Sequence, residues 1–497
     1  MEIGSPDPST VPSWVVVDKA IYRKDLASFR DARGATSASA RASNGEGIRV
    51  SFILTALPGT SRLCLHCSER RKMISFDTVE AAHGEAVLFR LKIDCKRLLW
   101  GDNAIDYFIY WAAPSGPKLT RLPRWYMTEP EILAAEKDGS WNRSQRIIMG
   151  IRGTGLLLTG CQGEFVVAEL QISWAKLEHW DAPLEGKLIR LCSDREAVTS
   201  GTAKWEVKDT TARGGKARFR DLRGWWKAHV VLPYGSYLCW VDYFRGIILC
   251  DVNHDSPDLQ YLPLPLKHVP LGYPDPFLIA LPTAYRAVGI TKGGTMKFVN
   301  IVRDDGMLLV SSHPGSGFTI TIYTLVHHGY DEMTWEEGVT ITPSELWGMD
   351  GYDIQLPRIT PQFPLVSMDE PSIIYFVLAP DDGTKKWVLA LDTEGKKVLW
   401  NREIRAVPSD EDLEMSSYNI FSNKPFFPCQ FSKYLQKANP SLAGAAGRWV
   451  DGKEVGKEGR KVTRSKKAAV GKKTAGKASF KIDCLTSHGA HDDPTAC

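Results

Sequence analysis

Residues Tyr237–Pro265 read YLCWVDYFRGIILCDVNHDSPDLQYLPLP, and this stretch decides the fold prediction. Two apolar runs, Tyr237–Asp242 and Ile247–Val252, flank the short turn Tyr243–Gly246. Apolar runs of this length around a short turn are typical of a β-hairpin. A polar loop and a Leu-Pro-Leu-Pro segment follow, so the stretch predicts two paired strands and a loop exit.

The same plan occurs earlier in the chain, at a constant offset. Asp106–Pro123 aligns with Gly246–Pro263, and four positions of the first segment recur in the second: Pro117, Leu119, Leu122 and Pro123 match Pro257, Leu259, Leu262 and Pro263. The two segments are 140 positions apart. A third of this offset is roughly 47 residues, within the ~40–50 residues of common propeller blades. Half of the offset is ~70 residues, which fits no common repeat. The repeat therefore predicts a β-propeller of six to eight blades, with tandem β-sandwiches as the alternative.

Composition supports an all-β globular protein with few helices. The chain is 43% hydrophobic and carries 16 Trp, 16 Tyr and 18 Phe, residue types that pack well in strands. No run approaches the length of a membrane-spanning helix. The N-terminal sequence MEIGSPDPSTVPS has neither a basic nor an apolar signal region, so we expect an intracellular protein that is not secreted, with its ten cysteines reduced.

The chain divides into three predicted parts. Residues 1–12 form a disordered lead-in, residues 13–437 form the propeller-like domain, and residues 438–497 form a low-complexity basic tail that we expect to be disordered. Within the domain, Ala32–Gly47 is rich in Ala, Ser, Gly and Arg and predicts a loop. Thr128–Lys137 carries the best helix signal, with a capping threonine and a proline in the first turn.

The tail has the clearest charge pattern in the sequence. Between Arg448 and Lys481, 12 Lys or Arg residues stand against 3 Asp or Glu. Such a run resembles a nuclear-import signal or an arm that contacts nucleic-acid phosphates, and it predicts a protein of the nucleus, the cytoplasm or both. The residues concerned are Arg460, Lys461, Arg464, Lys466, Lys467, Lys472 and Lys473.

The motifs that could carry chemistry are all incomplete. Cys64, His66 and Cys67 lack the second ligand pair of a structural zinc site, and His327 and His328 would face opposite sides of a strand. Two matches to a phosphate-binding loop end in Glu454 and Ala478, where serine or threonine is required. We therefore expect no metal, no cofactor and no enzymatic activity.

Several stretches resemble a plant, mainly grass, family known as the domain of unknown function sixteen-eighteen. The signature is Trp240-Val241-Asp242, Arg245-Gly246-Ile247 and Cys250-Asp251-Val252, closing on Leu262–Pro265, and further matches run from residue 13 to 436. A second resemblance, carried by Phe318–Trp347, is to propeller domains that follow F-boxes in ubiquitin-ligase adaptors. No F-box precedes the β pattern, which speaks against an adaptor role.

These observations predict a non-enzymatic protein-interaction module of unknown specific function. One alternative is a nuclear, nucleic-acid-associated protein that uses the basic tail. Another is a propeller enzyme with carboxylates in its central channel. The polar residues that the repeat does not share, Asp242 and Arg245, are the candidate contacts for a protein partner.

Overall fold

The computed structural model describes the following residues: 12–26, 36–67, 77–93, 104–113, 115–125, 137, 153–160, 163–174, 184–212, 222, 226–267, 282–306, 317–328, 332–380, 385–404 and 427–436. Within them the protein is all-β, as predicted, with short helices only. No helix in this part of the chain is long and apolar enough to cross a membrane.

The first three sheets are built from consecutive stretches of the chain. The first contains β1 (Val15–Asp25), β2 (Ala38–Arg41), β3 (Gly47–Ile53) and β4 (Ser61–Cys67); the second β5 (Thr78–His83), β6 (Ala86–Ile93), β7 (Ala104–Trp111) and β8 (Lys118–Arg121); the third β9 (Thr154–Leu158), β10 (Phe165–Trp174), β11 (Leu184–Ser193) and β12 (Glu206–Ala212).

Three further sheets follow in the same way. The fourth contains β13 (Val230–Tyr234), β14 (Tyr237–Asp242), β15 (Gly246–Asp251) and β16 (Asp258–Pro263); the fifth β17 (Arg286–Ile290), β18 (Met296–Arg303), β19 (Phe318–His328) and β20 (Glu332–Ile341); the sixth β21 (Gln362–Val366), β22 (Ile373–Leu378), β23 (Lys386–Asp392) and β24 (Lys397–Ile404). A last strand, β25 (Phe427–Cys429), joins the first sheet, and the helices are α1 (Arg195–Ser200), α2 (Pro282–Tyr285), α3 (Pro343–Trp347) and α4 (Phe431–Gln436).

Sheets two to six are antiparallel meanders, in which each strand pairs with the next one in the chain. One or two residue pairs connect some neighbouring sheets: Ala20 with Thr78, and Thr211 and Ala212 with Asp258 and Leu259. Because these links are one or two residue pairs long, the six sheets are separate units. Repeated four-stranded meanders are the blades of a β-propeller, so the predicted propeller-like fold is confirmed, with six such sheets among the described residues.

The first strands of the second, third and fourth sheets, β5, β9 and β13, lie side by side and run in the same direction, whereas β1 runs antiparallel to β5. A Cβ atom added to Gly155, the second residue of β9, would lie 2.6 Å from Val231, the second residue of β13. The last residues of β5 and β9 also meet, because the backbone N–H of Leu158 donates to Nδ1 of His83 over 2.9 Å. This parallel arrangement places the carboxyl ends of these three strands on one face of the molecule.

The two ends of the domain close the ring in one sheet. β25 pairs antiparallel with β1, with Val15 opposite Cys429 and Val17 opposite Phe427. Helix α4 follows β25 at once, and its Phe431 ring lies 4.5 Å from that of Phe52 in a core shared by several sheets. The contact between distant chain segments holds the first and last parts of the ring together.

The repeat predicted from the sequence is present in the structure, but its period is half of the offset between the two copies and not a third of it. Its two copies correspond to β7–β8 and β15–β16, the third and fourth strands of the second and fourth sheets. They are two sheets apart, not three, so half of the offset is the repeat length. Long segments connect the strands, so these blades are longer than the ~40–50 residues of common propeller blades. The prediction assumed that common length and therefore divided the offset by three.

The other local predictions had mixed outcomes. Ala32–Gly47 is not a loop throughout, since it contains β2, whose alanines pack into the sheet although their strand propensity is low. Of the predicted helix at Thr128–Lys137 only Lys137 is among the described residues, and it is helical; the tail from residue 438 lies outside them. The hairpin of Tyr237–Asp242 and Ile247–Val252 is confirmed as β14 and β15, with the second strand starting at Gly246.

Candidate functional site

Asp242 and Arg245 lie at the tight turn between β14 and β15. The carboxylate of Asp242 accepts a hydrogen bond from the backbone N–H of Phe244 over 2.9 Å. The backbone carbonyl of Asp242 accepts one from the backbone N–H of Arg245 over 3.0 Å. Nη1 of Arg245 is 3.7 Å from Oδ2 of Asp242, and neither side chain has exposed surface. A partner cannot reach either group in this conformation, so their observed role is to fix the turn; contact with a partner stays a prediction.

Burial sets the ionisation of this turn. Loss of water raises the pKa of Asp242 to about 6, and the hydrogen bond from Phe244 and the charge of Arg245 limit the rise. Arg286, at the start of β17, donates to the backbone carbonyl of Tyr243 over 2.6 Å. Burial lowers the pKa of this guanidinium to about 10, against the attraction of Asp242. The turn is therefore electrostatically connected to the neighbouring sheet.

Arg286 also lines the central cavity, which is the best candidate site in the described structure. The cavity has a volume of about 380 Å³ and is bounded by residues of β5, β13, β17, β21 and β25. That volume is within the ~300–1,000 Å³ that is usual for ligand sites. Because first strands from four sheets and the closing strand β25 form its wall, the cavity lies where the blades converge.

The middle of the cavity is apolar. Its wall there consists of aliphatic and aromatic side chains: Leu232, Val288, Ile290, Phe363, Leu365 and Val366. The wall is tight between the fifth and sixth sheets, where a Cβ atom on Gly289 would lie 2.5 Å from the Cβ of Val366. Such a wall suits an apolar group and gives it little freedom.

Polar groups cluster at the ends of the cavity. His83, Lys292, Gln430, Lys433 and Tyr434 lie at or just beyond the carboxyl ends of β5, β17 and β25, and we call them the carboxyl-end rim. The backbone N–H of Lys292 donates to Met368 just beyond β21 over 2.7 Å, which links two of the strand ends. Arg286 is six residues before Lys292, so the two cations are separated along the strand by roughly 20 Å.

His83 is held as a neutral donor at this rim. Its Nδ1 accepts the N–H of Leu158, which places the proton of the neutral ring on Nε2. Burial lowers its pKa to about 4, because the charged ring would lose its water. At neutral pH the ring can offer an N–H and cannot act as a strong base.

Lys433 and Tyr434 reach the rim from helix α4. The ammonium of Lys433 donates to Oε1 of Gln430 and lies 4.9 Å from the centre of the Tyr434 ring. A Cβ atom on Gly84 would be 4.0 Å from the hydroxyl of Tyr434, so this side chain stands next to the end of β5. The helix therefore brings a cation and a hydroxyl to the strand ends.

The cysteine and histidine motifs are not brought together. Cys64 and His66 are buried in β4, where Nε2 of His66 bonds to Ser51 Oγ over 2.8 Å and burial raises the pKa of Cys64 to about 11. His327 bonds to Tyr234 and His328 to Thr334, so the two rings have separate partners. Among the described residues, no three His, Cys, Asp or Glu side chains form a group that could hold a metal ion.

Sequence reasoning missed the rim completely. His83, Lys292 and Lys433 are far apart in the chain, and each is a single polar residue at the end of a strand or in a short helix. No local spacing connects them. The one available signal was that a propeller aligns the ends of its first strands around a central channel.

Comparison with known proteins gives a match to one family model over part of the chain. No curated protein matches the sequence. One solved structure, described as a candidate 6-phosphogluconolactonase from Bacteroides uniformis, has 9% sequence identity and a TM-score of 0.26, and covers 72% of this chain and 95% of that one. The plant origin and the likeness to F-box-associated domains stay predictions. Residues 240–375 match the model of a family described as "Protein of unknown function (DUF1618)", which confirms the predicted family resemblance over that span.

Proposed function

We propose that this domain is a non-enzymatic interaction module that binds a segment of a protein partner in its central cavity. The observation that carries the proposal is the composition of the cavity wall. An apolar middle lies between cationic ends, and the described lining contains no Asp or Glu. An apolar site with a few placed polar groups is what binding and orientation require.

The same lining argues against the enzyme alternative. Acid–base catalysis needs a group whose pKa lies near the working pH, within reach of the substrate. The carboxylates that a channel enzyme would use are absent from the described wall, and the pKa of His83 is about 4. The cavity thus offers groups that attract and position a ligand.

The proposal is tested by filling the cavity. Ala287 is half-buried and lines the cavity, so Ala287→Phe would add a bulky ring to the cavity wall. Val302→Phe adds the same ring at a position of β18 that is 41% exposed, and serves as the matched control. Proteins captured from tissue extract by the wild type and by Val302→Phe should be lost with Ala287→Phe.

Circular dichroism and thermal unfolding must first show that both variants are folded. If the folded Ala287→Phe protein captures the same partners with equal yield, the cavity is not the interaction site. If neither the wild type nor the control enriches any protein over an unrelated propeller, the interaction function itself is rejected.

A second proposal concerns the basic tail, and its support comes from the sequence alone. The 12 Lys or Arg residues between Arg448 and Lys481 would give a sequence-independent affinity for nucleic acid that falls steeply with salt. Removing residues 448–497 should abolish this binding and nuclear retention. Unchanged RNA and DNA binding and unchanged localisation would reject it.

A further inference from the structure

We propose that the carboxyl-end rim binds a phosphate monoester, and that its source is a phosphorylated side chain of the protein partner. The inference rests on the proposed function, because it names the chemical group that the cavity recognises. The starting point is that Lys292, Lys433 and His83 all line the cavity and all lie at or just beyond the carboxyl ends of β17, β25 and β5.

The rim has a net positive charge that its own residues do not neutralise. Lys292 is exposed and Lys433 is half-buried, and the described lining of the cavity has no carboxylate. The acid that follows the lining residue Met368 is Asp369, which accepts the hydroxyl of Ser13 over 2.6 Å. The ammonium of Lys433 donates to a neutral amide, that of Gln430. An anion entering the rim would therefore meet two cations.

The geometry of the donors favours phosphate over carboxylate. A lysine ammonium is a compact charge with three rotatable donors, whereas the planar fork of arginine is the group that matches a carboxylate in two bonds. Here two ammonium groups and the Nε2–H of His83 come from separate strand ends. Donors from several directions suit a tetrahedral group, and a phosphate monoester carries about −1.5 to −2 charges near pH 7, close to the charge of the two lysines.

The rest of the cavity decides what can carry the phosphate. Beyond the rim, the wall is formed by apolar side chains such as Val288, Ile290 and Leu365. With about 380 Å³, the cavity has room for a side chain and its immediate neighbours but not for a folded domain. Its shape fits a phosphate attached to a small apolar body.

Titration calorimetry of the full chain with phenyl phosphate tests the binding directly. We expect saturable binding to one site, weakened about tenfold by each of Lys292→Met and Lys433→Met and further by the double variant, since each lysine supplies a charge-assisted hydrogen bond and a loss of ~1.4 kcal/mol is tenfold in affinity. Lys204→Met removes an exposed lysine elsewhere and is the control. The basic tail is present in every variant, so weak binding to it cancels in the comparison. Equal affinity of the wild type and the double variant would overturn the inference.

A second arm identifies the source of the phosphate. Partners captured by the wild type are treated with phosphatase and offered to the wild type again. In parallel, untreated extract is offered to the double variant Lys292→Met, Lys433→Met. Loss of capture in both cases supports a phosphorylated partner. Rim-dependent binding of phenyl phosphate with unchanged capture refutes the protein source and leaves a free phosphate monoester as ligand. Capture that depends on Ala287 but not on Lys292 or Lys433 rejects the inference while the proposed function stands.

Discussion

The buried carboxyl of Asp242 should make the stability of this protein depend on pH in an unusual direction. Most carboxyl groups lose protons more easily in the folded state, but burial raises the pKa of Asp242 from 3.8 to about 6. The folded protein therefore binds this proton more tightly than the unfolded chain does. Between those two pKa values the free energy of unfolding increases as the pH falls, and this contribution is lost as the pH rises through 6.

The magnitude follows from the two pKa values. Linkage gives a contribution of about 2 kcal/mol at pH 4.5 and almost none at pH 7.5, from Asp242 alone. Asp242→Asn removes the titrating group and keeps its shape. The difference between the unfolding free energies of the two proteins should therefore change by about 2 kcal/mol across this range, because groups away from Asp242 titrate in both proteins and cancel. His229, whose Nδ1 is 3.5 Å from Oδ1 of Asp242, is replaced by glutamine in both proteins so that it does not contribute.

Urea denaturation followed by tryptophan fluorescence, at steps between pH 4.5 and pH 7.5, measures this difference. Glu336→Gln removes an exposed carboxyl from β20 and is the control. The absolute stability of Asp242→Asn is not diagnostic, because the variant also leaves Arg245 without its ion-pair partner. Parallel pH profiles of the wild type and Asp242→Asn would refute the reasoning, since they would mean that the carboxyl keeps its ordinary pKa.

Three other predictions follow from packing and ionisation. Gly289→Ala should destabilise the protein by about 1–3 kcal/mol, because the new methyl would meet Val366 at 2.5 Å, whereas Gly47→Ala, which meets nothing within 4 Å, should change the denaturation midpoint little. Phe431→Ala should cost about 3–5 kcal/mol, since this fully buried ring connects α4 to the first sheet; a loss under 1 kcal/mol would show that the helix does not support ring closure. Nuclear magnetic resonance titration of His83 should show a neutral ring with its proton on Nε2 down to a pH of about 4, and a midpoint above 6 would contradict its burial.

Local patterns were sufficient to predict the hairpins. Tyr237–Asp242 and the strand after it alternate little because both faces are buried, and their apolar runs and short turn specify the pairing without help from the rest of the chain. The recurrence at Asp106–Pro123 carried information on architecture for the same reason, since it repeats packing and turn residues. Its period could not be read correctly, because the length of the connections between strands is not set by the strands themselves.

The strands, their turns, the repeat and the family resemblance could therefore be predicted from the sequence, because each of them depends on residues that lie close together in the chain. The burial of Asp242 and Arg245 depends on tertiary packing and could not be predicted from local patterns. The same is true of the carboxyl-end rim, which lies at the carboxyl ends of β5, β17 and β25. His83, Lys292 and Lys433 line one cavity because closure of the ring through β25 and β1 brings together strands that are more than a hundred residues apart in the chain. No local sequence pattern predicts that β25 pairs with β1, because this pairing depends on how whole sheets pack around a common axis.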